Sequence, residues 1–229
     1  MKINCFALCI YLMLFTGINN VFGQNKEGNV WQLRIAPLNL IDPLTGVLQF
    51  GVQKRFSSRI AMSFDYGIKY NSLSYLNRNA ALLNQGYSKV KFEVKYFTNP
   101  GRHQYSRIGL PYFSMQLFYF PQQYTKTNSY LITDTATYFY DVSRIHRNAL
   151  SISFISGHEK TSGRVIFDTY FGAGIKFLHL KHNTGNLTPG DPPHSADFYI
   201  QPLDYKQGEF YRLHLVLGIK IGYMLNRKE

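Results

Sequence analysis

Between Glu209 and Tyr223 the chain alternates with a period of two. Odd positions carry Tyr211, Leu213, Leu215, Leu217, Ile219, Ile221 and Tyr223, while even positions carry Arg212, His214, Val216, Gly218, Lys220 and Gly222. Successive side chains of a β-strand point to opposite faces, so this run is a strand with two different surroundings. It also has the length that a tilted strand needs to cross a bilayer, about 9–11 residues plus interfacial ends.

Seven earlier runs share the pattern. They span Val30–Ala36, Val47–Phe56, Ile60–Tyr70, Tyr87–Phe97, Leu110–Phe120, Ala149–Ile155 and Val165–Leu178. The third is the clearest, with Ile60, Met62, Phe64, Tyr66, Ile68 and Tyr70 set against Ala61, Ser63, Asp65, Gly67 and Lys69. Turn chemistry separates the runs. The connections alternate in length: Ser57–Arg59 and His158–Arg164 are short, whereas Asn71–Gly86 and His179–Gln207 are long. The first connection with two prolines, Pro37–Pro43, is the exception, being short and apolar on the side of the long ones. The Tyr/Thr-rich stretch Pro121–Arg147 is expected to prolong the fifth and sixth strands as a hairpin.

These features predict an all-β fold: an eight-stranded antiparallel up-and-down transmembrane β-barrel over residues 24–229, preceded by a cleavable signal peptide at 1–23. The signal reading rests on Lys2, the apolar run Cys5–Thr16 and the small residue Gly23. That run is too short for a spanning helix. Both cysteines, Cys5 and Cys9, fall within it, so the remainder carries no disulfide or thiolate site. Aromatic residues nearly equal charged ones, 16% against 17%, which favours a membrane barrel over an ordinary soluble enzyme. The net charge of +12 raises nucleic acid as a partner. The bases are spread through strands and turns instead of forming a block, so anionic lipid is the expected counterpart and nucleic acid is not.

Alternation alone does not say which face meets lipid, because a soluble barrel alternates with its apolar face inside. Charge decides it. Arg34, Arg55, Asp65, Lys69, Lys89, Lys91, Glu93, Lys95, Asp168, Lys176, Arg212 and Lys220 share the polar face, and only Lys54 sits on the apolar one, near a strand end. A charge at the bilayer midplane costs about 2–4 kcal/mol. The strand glycines Gly51, Gly67, Gly172, Gly174, Gly218 and Gly222 lie on the polar face too, leaving room for long basic side chains in a narrow interior. Aromatics gather towards both ends of the apolar face (Trp31, Phe56, Tyr96 and Tyr223; Tyr70, Tyr119, Phe177 and Tyr211) like interfacial girdles. The interior is therefore expected to hold a charge network of nine bases with Asp65, Glu93 and Asp168 as counterions. Such an interior is plugged.

With these features the chain resembles the small eight-stranded outer-membrane barrels of the OmpA/OmpX type. The resemblance covers residues 24–229 and rests on the eight amphipathic strands, the signal and the glycine-bearing last strand. It implies a place in the cell outer membrane, contact with its lipids including lipopolysaccharide, and insertion by the barrel-assembly machinery. It implies no cofactor and a structural or surface-binding role through external loops. The departure is at the end, where Met224–Glu229 follow Tyr223 although such barrels finish on an aromatic residue. A lipid-modifying outer-membrane enzyme and a secreted lipocalin-like barrel for a hydrophobic ligand stand as the alternatives.

No HExxH, CxxC or phosphate-cradling glycine loop occurs, nor the His-x-Ser-Asn signature of outer-membrane lipid deacylases. His179 and His182 are three apart, hence on opposite faces of a strand and a poor chelate. With His214, they are expected to be rim or interior histidines, and neither a metal site nor a catalytic site is expected. The best candidates for contact with a partner are the loop aromatics Tyr124, Tyr130, Tyr138, Tyr140, Phe198 and Tyr199, whose amphipathic rings suit binding surfaces.

Overall fold

The computed structural model describes residues 30–40, 46–70, 82–98, 109–133, 136–190 and 205–225. The expected signal at 1–23, and Phe198 and Tyr199, lie outside them. Nine strands follow in order: β1 (Val30–Ile35), β2 (Val47–Arg55), β3 (Ile60–Lys69), β4 (Leu82–Phe97), β5 (Leu110–Ile132), β6 (Thr137–Ser162), β7 (Val165–Gly185), β8 (Thr188–Pro189) and β9 (Gly208–Met224). A 3₁₀ turn, η1 (Pro37–Leu40), follows β1. All strands belong to one antiparallel sheet, and that sheet closes into a ring.

Sequential neighbours pair from β1 to β7, β7 pairs with β9, and β9 returns to β1. The two-residue β8 only touches the far end of β6, so the ring itself has the eight members the sequence predicts. A row of partners leaving β1 at Leu33 passes Val52, Phe64, Phe92, Leu117, Ile152 and Ile175 and reaches β9 at Leu213. The closing seam sets Leu33 against Tyr223, ten residues further along β9. Stagger of this kind is what tilting the strands of a closed sheet by about 35–45° produces.

Every residue of that row is apolar and faces outward. The outward positions of β9 show the greatest exposure, reaching 82% at Leu217 and 73% at Leu215. The inward positions carry the polar residues. Among the largest fully buried side chains are Lys95, Lys220, Glu93 and four glutamines. The molecule is thus apolar without and charged within, the reverse of a water-soluble domain.

Two short connections among the described residues lie at one end. Phe56 N donates to Ile60 O at 2.9 Å, and Ser57 Oγ accepts from Ile60 N at 3.1 Å, tying β2 to β3. Between β6 and β7 only Gly163 and Arg164 make the turn, with Gly163 at φ 60°. The expected turn His158–Arg164 is therefore too long: residues 158–162 are strand. The same correction applies elsewhere. β4 starts at Leu82 instead of Tyr87, β5 runs to Ile132, β6 spans Thr137–Ser162, and β7 reaches Gly185. In these extensions both faces are polar or mixed, so the apolar contrast fades while Thr, Tyr, Ile and Val keep the backbone extended. The expected hairpin from Pro121 to Arg147 is present, with β5 and β6 paired through Ile132 and Thr137.

Glycines on the inward face relieve crowding at close approaches. A Cβ at Gly174 would meet the backbone oxygen of Ile152 and lie 2.5 Å from Ser153 Cα, atoms that cannot swing away. Gly174→Ala is expected to cost about 1–3 kcal/mol by overpacking, read as a lower urea midpoint. An unchanged midpoint would show that the strands separate easily there.

Candidate functional site

Polar side chains meet in two clusters inside the ring. The first is built around Asp168 of β7 and Glu159 of β6, which are register partners. Lys95 of β4, fully buried, places Nζ 2.6 Å from Asp168 Oδ2 and 2.8 Å from Glu159 Oε1. Arg34 of β1 reaches the same Asp168 oxygen, donates to Gln53 Oε1, and lies 3.8 Å from Glu159. Arg55 donates to Glu159 Oε2 at 2.9 Å while its guanidinium covers the Phe97 ring at 4.2 Å. Tyr112 completes the cluster by donating to Asp168 Oδ1 at 2.6 Å. Buried carboxylates are tolerated because each oxygen is met by donors.

The second cluster is centred on Lys220 of β9. Its Nζ is 2.9 Å from Asp65 Oδ2 and 2.9 Å from Glu93 Oε2. Ser114 Oγ donates to Glu93 Oε1 at 2.7 Å, and the Tyr170 ring lies 5.3 Å beneath the ammonium. The ion pairs cross from β9 to β3 and β4, so they span the ring instead of following its wall.

The remaining predicted bases lie towards the long-connection end. Lys69 is half-buried, 5.6 Å from the Tyr87 ring. Lys91 is buried, 5.8 Å from the Phe118 ring, and Lys89 stands 5.3 Å from that of Phe120. Lys176 and Arg212 are half-buried register partners on the inward face. Lys54, the outward base, rests 5.0 Å from the rings of both Trp31 and Phe56, a cation–π placement at the end of the apolar belt.

Sequence reasoning missed Glu159, a fourth interior acid. Its signal was available: Ser151, Ser153, Ile155 and Gly157 continue on the inward face to position 159. It also missed Tyr112 and Tyr170, whose rings occupy the space left by glycines. A Cβ at Gly157 would lie 2.5 Å from the Tyr112 hydroxyl, and one at Gly218 would strike that of Tyr170. At Gly222 an added Cβ would meet Arg34 Cγ at 3.5 Å, an ordinary van der Waals contact, so no space there depends on the glycine.

The loop aromatics divide. Tyr124 and Tyr140 are each 2% exposed: Tyr124 continues the even-numbered inward register of β5, whereas Tyr140 is turned inward beyond a break in the alternation of β6, where Asp141 and Val142 are both exposed. As contact surface they are corrected: their rings are buried. Tyr130 and Tyr138 are half-buried, and Tyr130 stacks on Tyr205 at 5.3 Å. The histidines separate as well. His179 faces outward, 3.6 Å from Glu209, His182 turns inward to within 3.4 Å of Ser143 Oγ, and His214 lies 3.1 Å from Ser153 Oγ. Among the described residues no group of three or more His, Cys, Asp or Glu side chains is arranged to hold a metal.

Comparison with protein-family models, with curated proteins and with solved structures finds no match for this chain.

Proposed function

We propose that the chain is an integral outer-membrane β-barrel with a side-chain-filled interior. Its role is structural or surface-binding, through the strands and loops at its long-connection end. One observation carries the reading: the outward belt is apolar all the way round the ring while the charges are turned inward. From Tyr211 to Tyr223 the belt on β9 rises about 30 Å, taking about 3.3 Å per residue and a tilt of about 40°. That matches an apolar band about 25 Å tall with aromatic girdles. Water would not tolerate such a surface, since a monomer rarely exposes a contiguous apolar patch beyond several hundred Å². Lipid would. A lipocalin-like barrel needs the opposite orientation, with its apolar face around the ligand.

The belt has two edges. Trp31, Lys54, Phe56, Tyr96 and Tyr223 lie at the short-turn end, and Arg59 donates to Tyr96 Oη there at 3.3 Å. At the other end Tyr119, Leu150, Phe177 and Tyr211 are consecutive neighbours across four strands. Beyond that edge β5 and β6 continue as a polar hairpin, which suits a projection into the external medium.

Two measurements test this. In cell fractionation the protein is expected with the outer membrane, and the folded form is expected to migrate differently on gels before and after boiling. Recovery in a salt wash with no heat-dependent mobility would overturn the proposal. In planar bilayers the pure protein is expected to conduct negligibly, because ion pairs cross the interior at two levels; steady large single-channel currents would contradict the filled interior.

A further inference from the structure

A cavity of about 240 Å³ lies within the ring, on the long-connection side of the Lys220 cluster. Lys89 and Lys91 of β4 and Lys176 of β7 bring three ammonium groups to its wall, and no Asp or Glu is found among the described residues that line it. Phe118 and Phe120 of β5 supply an aromatic side, stacked at 5.8 Å. His214 extends it by lying nearly parallel to Phe118, 5.6 Å away with 17° between the planes. Gln116 sits on the same wall at 1% exposure, and neither its amide nitrogen nor its amide oxygen has a hydrogen-bond partner. A buried amide left unpaired at both ends is costly, so a site that leaves one facing a cavity is built for something that pairs with it.

We propose that this cavity binds a small organic anion, a carboxylate carried on a flat aromatic body. Each part of the ligand has a counterpart. The carboxylate accepts from Lys91 Nζ and from the Gln116 amide, bonds strengthened by the charge. The ring lies along the Phe118–His214 face, where offset stacking is favourable. A cation is excluded by the lysines. An inorganic anion satisfies the lysines and leaves the aromatic side uncovered. Asn39 of η1, which donates to Gln49, brings the apolar first connection to the same cavity and gives that departure from the loop pattern a place in the site. The inference depends on the ring interior and not on the membrane. A chain that proved water-soluble would bind in the same way, so the two readings fail separately.

The test is a titration of the folded full-length chain with benzoate, followed by NMR at the Gln116 side-chain amide. Benzylammonium serves as the charge-reversed probe and sulfate as the ring-free one. Benzoate is expected to shift the Gln116 signal saturably, benzylammonium to leave it in place, and sulfate to bind at least tenfold more weakly than benzoate. Lys91→Gln is expected to weaken benzoate about tenfold or more, as the loss of a charge-assisted hydrogen bond does. Gln116→Leu, similar in size, free of any new charge and followed through the His214 ring signals instead of the lost amide, gives a second variant if the first does not fold. No shift with benzoate, equal binding by benzylammonium or sulfate, or unchanged affinity in a folded variant would each overturn the proposal.

Discussion

Lys220→Met is expected to destabilise the protein by about 3–5 kcal/mol, the cost of removing one partner from a buried ion pair. The ammonium is 1% exposed and lies 2.9 Å from carboxylate oxygens of both Asp65 and Glu93. Without it two negative charges face each other in a closed interior. The triple variant Lys220→Met, Asp65→Asn, Glu93→Gln is expected to recover most of the loss, because replacing all the charges removes the uncompensated burial. Urea unfolding followed by the fluorescence of the single tryptophan, Trp31, measures both. A single variant within about 0.5 kcal/mol of wild type, the range of an ordinary surface substitution, would mean that water reaches the cluster freely.

Leu217→Arg separates membrane from water most sharply. Leu217 lies midway between Tyr211 and Tyr223 and is 82% exposed. On a water-soluble surface the change would be almost neutral, within about 0.5 kcal/mol. At the bilayer midplane it costs about 2–4 kcal/mol, so refolding into lipid vesicles is expected to lose that much. Glu209→Arg, beyond the girdle on the same strand, is expected to cost no more than about 1 kcal/mol. The depth dependence is the diagnostic. Equal effects at the two positions would rule out a lipid-facing belt.

Much of this architecture was legible because each strand of the ring carries two chemistries. In β3, and in β9 with Val216 as an exception, apolar positions alternate with polar or small ones, so strand existence and the identity of the inward residues followed directly. Arg34, Asp65, Glu93, Lys95, Asp168 and Lys220 could be assigned to one interior from parity alone. Which acid meets which base could not. Arg34 and Asp168 are 134 positions apart and come together only through the closure of β9 on β1 and the stagger that it sets. Glu159 was lost to local turn chemistry, since His158–Arg164 contains Ser-Gly and several polar residues that resemble a loop. The ends of β5, β6 and β7 were lost for a related reason. Past Tyr119 and Phe177 no greasy face remains to contrast with the polar one, yet the hydrogen-bonded ladder continues. The cavity wall was hidden as well. Phe118 occupies an inward position among polar neighbours, and nothing in its local sequence announces that His214 would stack on it.

Orientation of the strand faces is tested most directly by nitroxide labels at Leu215 and Ile175, paired with labels at Val216 and Lys176 on the opposite face. In lipid vesicles the first pair is expected to be relaxed strongly by oxygen and weakly by an aqueous nickel chelate, and the second pair to show little of the oxygen effect. Strong relaxation of Leu215 and Ile175 by the chelate, with oxygen reaching Val216 and Lys176 instead, would mean that lipid lies on the charged side.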